Sequence, residues 1–170
     1  MVTTSSLTKN IWRATADFIE QPSIDRVISP CEISTQCGGC QFQHMKYRAQ
    51  LEFKHGLICN EFSKLPNLET IAVEDVLPSP LLFNYRNKAQ FAIQRNGRKV
   101  EVGLYAVNTH QTIDTKSCAI QHRLVNDIMN RVRYFLRTFP VSVYDESTRL
   151  GKVLRYLIRI KFNSNHIIEV

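Results

Sequence analysis

Residues 153–162 alternate: Leu154, Tyr156, Ile158 and Ile160 against Arg155, Arg159 and Lys161. Period two predicts a strand with one apolar and one basic face. Upstream, 85–95 and 99–107 flank Asn96-Gly97. That pair favours a type I′ turn, so the two runs are expected to form a hairpin. Residues 111–115 are expected to add a third antiparallel strand, and 71–76 a short strand closed by Pro78 and Pro80. Two stretches carry helical spacing instead. Over 44–65 the stripe is Tyr47, Leu51, Ile58 and Phe62, with Arg48, Glu52 and Glu61 off it. Gly56 weakens this helix and Pro66 ends it. Over 123–138 the expected buried stripe is Leu124, Ile128, Val132 and Phe135, with Arg123, Arg133 and Arg137 mostly off it. Residues 1–10 read as a polar leader, 11–20 as a possible strand, and Pro22 and Pro30 bracket a linker. Asn163-Ser164-Asn165 reads as a turn into a return strand from His166. The fold class is α+β: an antiparallel sheet with two helices, without internal repeats.

Composition is that of an ordinary globular protein, with 44% hydrophobic and 22% charged residues among 170. No apolar run approaches the ~20 residues that span a bilayer, and no secretory h-region follows the N-terminus. A cytoplasmic location without membrane contact is therefore expected. Charge changes the picture more. Residues 1–85 carry 7 basic and 9 acidic side chains, whereas 86–170 carry 15 and 6. A second half at +9 (15 − 6) favours a polyanionic partner over a merely solvated basic face.

Cysteine brings in specific chemistry. Cys31, Cys37 and Cys40 form a C-x5-C-x2-C run, and Cys118 stands far downstream. Five cysteines without a signal argue against a disulfide scaffold. Gly38 and Gly39 permit a tight curl between Cys37 and Cys40, and exposed amides there can point at sulfur. Four thiolates suit zinc or an iron–sulfur cluster. Three close ligands plus a remote one resemble the ferredoxin arrangement more than paired zinc-ribbon cysteines. Unliganded thiols are the third alternative. Cys59 reads as a small buried hydrophobe, and His44 and His55 as core or surface histidines.

A longer pattern surrounds these cysteines. Cys31-x5-Cys37-Gly38-Gly39-Cys40-Gln41-x-Gln43-His44-x-x-Tyr47-x-x-Gln50-Leu51-x-x-Lys54 resembles the cluster region of the RNA uracil-5 methyltransferases, a family that includes 23S ribosomal RNA enzymes. Tyr85-Arg86-Asn87-Lys88, Gly103-Leu104-Tyr105 and Ile113-Asp114-x-x-x-Cys118-x-Ile120 are similar to that family in the same order. The likeness runs from about residue 13 to the end. It implies a 4Fe–4S cluster on Cys31, Cys37, Cys40 and Cys118. It also implies that 1–29 holds a leader plus the last strand and exit linker of an RNA-binding β-barrel. Residues 30–170 would then be the cluster-binding central RNA-recognition domain.

The family transfers a methyl group from S-adenosylmethionine to C5 of uracil, using a Rossmann-like domain. Such a site needs a strand, a Gly-rich turn and a helix. The six glycines, at 38, 39, 56, 97, 103 and 151, form no G-x-G, and no βαβ alternation is present. S-adenosylmethionine is thus expected only in a longer protein, and this chain alone is expected to be inactive. It reads as truncated at its C-terminal end, or as completed by a separate polypeptide. What remains is substrate handling. Arg86 and Lys88 flank Asn87 on one strand, and Arg155 and Arg159 lie on another, where guanidinium forks suit phosphate and base edges. Tyr85, Phe91, Tyr105 and Tyr156 lie near them, as stacking partners or as core. The expected partner is structured RNA, ribosomal by the resemblance. A stand-alone zinc-binding nucleic-acid module and a redox protein are the competing readings.

Overall fold

The computed structural model describes residues 2–8, 11–16, 18–68, 70–146, 148–163 and 166–168. In chain order the elements are β1 (Val2–Thr8), β2 (Ile11–Ala16), α1 (Tyr47–Phe62), β3 (Lys88–Asn96), β4 (Lys99–Tyr105), β5 (Thr112–Asp114), α2 (Arg123–Thr138), β6 (Arg155–Arg159), β7 (Lys161–Asn163) and β8 (His166–Ile168). The α+β class holds. The main sheet is four-stranded and antiparallel, in the order β5-β4-β3-β6.

Alternation makes this sheet two-sided. Ala89, Phe91 and Ile93 of β3 share a face with Val102 of β4 and with Tyr156 and Ile158 of β6. That face meets α2 through Val125, Met129 and Leu136, forming the core. Phe91, Val102, Val125, Met129 and Ile158 are fully buried. Truncating a side chain like Phe91 to alanine costs roughly 3–5 kcal/mol. The opposite face presents Lys88, Gln90, Arg155, Leu157 and Arg159. Gly103 has no room for a side chain: a Cβ there would lie 1.9 Å from the Ile113 carbonyl oxygen. The close approach of β5 to β4 depends on it.

The buried stripe of α2 lies one residue beyond the expected one. Val125, Met129, Arg133 and Leu136 are buried, whereas Phe135 is half exposed. Arg133 is tolerated there because its guanidinium donates to the Val102 carbonyl at 2.7 Å and to the Thr115 carbonyl. Its Nε also lies 3.3 Å from the Asp114 carboxylate. Asp114 is a charge hub: Lys99 approaches at 2.7 Å and Arg137 at 2.9 Å, and it accepts from the Val102 amide at 3.2 Å. Partial burial raises its pKa, but Lys99, the Val102 amide and Arg137 outweigh that and hold it at about 2.

Four other expectations need correction. Residues 71–76 are not a strand; no ladder partner lies beside them, and the Val73 carbonyl bonds to His55 Nε2 at 3.1 Å instead. The hairpin loop is Gly97-Arg98, because Asn96 pairs with Lys99. Positive φ at Gly97 alone, +57°, is the type II′ pattern rather than type I′. The expected strand over 153–162 is divided between β6 and β7. Residues 1–10 are not simply a leader, since β1 pairs with β2. The return strand is β8, paired with β7; Ser164 and Asn165 of the expected turn lie outside the described residues.

Helix α1 shows the expected stripe in part: Tyr47, Leu51 and Phe62 are half-buried, whereas Ile58 is exposed. Ala49 is its one buried residue, and Phe53 and Leu57 are exposed. It packs on irregular chain: Phe53 lies 5.2 Å from Phe42, and Tyr47 Oη accepts from the Ser79 amide at 2.6 Å.

Candidate functional site

The cysteine loop is built from local turns. The Ser34 amide donates to the Cys31 carbonyl, and the Gln36 and Cys37 amides donate to the Ile33 carbonyl. Its far side is anchored on the end of β4: Cys37 bridges Ala106, and the Val107 amide donates to the Gln36 carbonyl at 2.9 Å. Gln50 secures the exit into α1 by donating to the carbonyls of Phe42 and Met45, both at 3.0 Å. Gln43 accepts from Ser29 Oγ at 2.8 Å. Three glutamines of the sequence pattern thus hold the loop, since Gln41 also donates to the Gly38 carbonyl. Neither Gly38 nor Gly39 uses positive φ.

Cys118 arrives from the segment after β5. Asn126, in the first turns of α2, accepts from the Cys118 amide and donates to its carbonyl. An isolated parallel bridge, Arg86 with Gln121, joins this segment to the chain just before β3. The Asn84 amide donates to Ala119, the Arg86 amide to Ile120 and the His122 amide to Arg86.

The result is one cavity of about 550 Å³ lined by Cys31, Cys37, Cys40 and Cys118 together. Arg86, Gln90 and Tyr105 line it too. So does Gln121, which is buried with Oε1 unpartnered. The Gly39 amide donates to Cys37 Sγ at 3.4 Å, and the Gln121 amide donates to the Cys118 carbonyl at 3.2 Å. Burial pushes the thiols of Cys37 and Cys118 above the ordinary value; nearby backbone amides pull the other way. No group of three or more His, Cys, Asp or Glu among the described residues is arranged to hold a single metal ion. Cys59 is elsewhere, on α1, with Sγ 3.7 Å from His55 Nε2.

The five basic and amide candidates fall in two places. Arg86 precedes β3 and faces the cysteine cavity. Asn87 is exposed, and its carbonyl accepts from Ile160 at 2.8 Å. Lys88 stands directly opposite Arg159, and Arg155 opposite Ala92, on the outer sheet face. Gln90 belongs to both places, so the cavity opens onto that face. With its amide reoriented, Gln90 accepts from Arg155 at 3.0 Å. Among the described residues no carboxylate pairs with Arg86, Lys88, Arg155 or Arg159. Of the aromatics, Phe91 and Tyr156 stack in the core at 5.5 Å. Tyr105 is half-buried at the cavity, and Tyr85 is exposed. Asn126, Gln121 and His122 were not legible as site residues; their roles depend on where α2 starts in space.

Comparison with known proteins gives the class. A Clostridium tetani protein described as an uncharacterized RNA methyltransferase is 38% identical over 149 residues, covering 88% of this chain and 32% of its own length. A Staphylococcus epidermidis protein of the same description is 36% identical, over 87% and 33%. One from Enterococcus faecalis is 30% identical over 167 residues, covering 97% and 37%. The solved structure of Pyrococcus abyssi tRNA (uracil-54, C5)-methyltransferase with S-adenosyl-L-homocysteine shares the fold. Its TM-score is 0.67 at 20% identity, over 93% of this chain and 35% of that one. No protein-family model matches. The chain is thus related to RNA methyltransferases at 30–38% identity, and it shares its fold with a solved uracil-5 methyltransferase. It spans about a third of the length of the curated relatives it matches. Among the described residues no helix is long and apolar enough to cross a membrane.

Proposed function

We propose that this chain is the RNA-handling, cluster-carrying portion of an S-adenosylmethionine-dependent RNA uracil-5 methyltransferase, acting on structured and most simply 23S ribosomal RNA in the cytoplasm. Residues 30–170 form its central domain, and residues 1–29 the exit from a preceding RNA-binding barrel. The observation that carries this reading is the convergence of four cysteines, from two distant segments, on one cavity that also receives Arg86. The proposed ligands of a 4Fe–4S cluster are Cys31, Cys37, Cys40 and Cys118. The amide already aimed at Cys37 Sγ suits a thiolate held by a cluster. When bound, the cluster would supply a rigid cross-link between the loop and the sheet.

Arg86, Asn87, Lys88, Arg155 and Arg159 would meet the RNA. Methyl transfer itself would belong to a domain with a cofactor site, in a longer protein or a partner polypeptide. Anaerobic purification tests the reading. Brown protein with about four irons per chain, and no affinity for S-adenosylmethionine, is expected. Colourless protein with one zinc would promote the zinc module. An iron protein without salt-dependent RNA affinity would promote a redox protein.

A further inference from the structure

A second basic cavity lies at the other end of the β3–β4 hairpin. It measures about 540 Å³ and is lined by Arg95, Arg98, Lys99, Arg137 and Phe139. The cysteine cavity is near the start of α2 and this one is at its end, so the two are separated by roughly the ~24 Å length of a 16-residue helix. It sits on the α2 side of the sheet, because Arg95 pairs with the buried Val100. The outer face with Lys88 and Arg159 is on the opposite side.

Two independent features meet here. The first is uncompensated charge. Asp114 is shared by Lys99, Arg133 and Arg137, so one carboxylate serves three cations. Among the described residues no carboxylate pairs with Arg95 or Arg98. Glu101, the hairpin's own acid, is engaged by Asn96 at 3.3 Å. The second is an exposed aromatic stack. Phe139 and Phe135 lie 4.8 Å apart, and each is about half exposed (51% and 50%). Core packing does not explain these solvent-facing phenyl rings, of which Phe139 lines the cavity with its four cations. Cations that track phosphates next to aromatic faces that stack bases are how proteins hold single-stranded nucleic acid.

We propose that the hairpin tip and the end of α2 form a second RNA site, for an unpaired strand, with Arg95, Arg98 and Arg137 on phosphates and Phe139 stacked on a base. This rests on the RNA-handling reading above and adds a contact remote from the cysteines. An RNA reaching both sites would extend around the edge of the domain, so the tip would select substrates with a single-stranded flank.

Fluorescence anisotropy with a labelled single-stranded oligouridylate tests it on the whole chain. Arg98→Glu should weaken binding at least about tenfold and lower the log–log salt slope by about 0.7 or more. Phe139→Ala should weaken it about fivefold or more with the slope unchanged, and Phe139→Trp should restore affinity. If Arg98→Glu weakens binding but Phe139→Ala does not, the attraction is diffuse charge and the stacking site is wrong. If both bind as wild type while Arg159→Ala weakens binding, the tip site is wrong and the RNA reading stands. A wild-type chain that binds no RNA overturns both.

Discussion

Asn126 grips Cys118 by both of its backbone polar groups: Oδ1 accepts from the amide at 3.0 Å and Nδ2 donates to the carbonyl at 3.2 Å. The asparagine carboxamide carries its acceptor and its donor on the same carbon, so one side chain can meet both groups. Asn126→Ala should therefore lower stability by roughly 2 kcal/mol, at about 1 kcal/mol per bond. Denaturant melts of the protein would measure this. Iron should also be lost faster to a chelator, because the sulfur of Cys118 would no longer be held in register. An unchanged melt would contradict this role.

The ligand set is tested by contrast. Cys118→Ser should lose most of the iron, whereas Cys59→Ser, on α1 beside His55, should keep it. Iron analysis and visible absorbance of the two variants give the answer. Loss in both would mean that the four-cysteine cavity is not the centre.

Asp114 predicts an acid response. Its carboxyl titrates at about 2 in the fold against 3.8 as the ordinary value. A lowered folded pKa adds stability above the unfolded value and loses it as pH falls through the folded one. The contribution should be complete above about pH 4 and fade toward pH 2. Asp114→Asn should flatten the stability–pH curve in that window. At neutral pH, Asp114→Ala strands the buried Arg133 and should cost roughly 3 kcal/mol. Chemical denaturation across pH 2–7 reads both effects.

On the outer sheet face, Lys88→Ala and Arg159→Ala should each weaken structured-RNA binding by about 1 kcal/mol or more. Each should also reduce the salt slope by roughly 0.7 to 0.9. Lys64→Ala is the control: Lys64 pairs with Glu61 at 2.6 Å at the end of α1. Equal losses in the control would mean diffuse attraction and no defined face.

Much of the architecture was legible because it is local. The ends of α2 were read correctly from 3.6 periodicity and Pro140, and β3, β4 and β6 from alternation. The buried face of α2 was misread by one residue because hydropathy ranks Phe135 above Arg133. Only the tertiary partners of Arg133, the Val102 and Thr115 carbonyls and Asp114, make its burial possible. Residues 71–76 carried β-branched residues without a strand partner, and periodicity cannot supply a partner. The hairpin slipped by one because either Asn96-Gly97 or Gly97-Arg98 can supply positive φ; the Asn96–Lys99 pairing decides. At the site, three cysteines and Arg86 lay in short motifs. Asn126, Gln121 and the Arg98–Phe139 cavity join residues far apart in sequence, so no motif could announce them.

The facing positions of Lys88 and Arg159 bear on how the free protein behaves in the tube. Two cations set directly across a sheet repel each other, and each such pair costs a few tenths of a kcal/mol up to about 1 kcal/mol. Dissolved salt relieves that repulsion, while it competes with RNA for the same side chains. Salt should therefore raise the melting temperature of the unbound chain under the very conditions that release its ligand. Dilute buffer, which favours the complex, would be the harshest storage medium for the protein on its own.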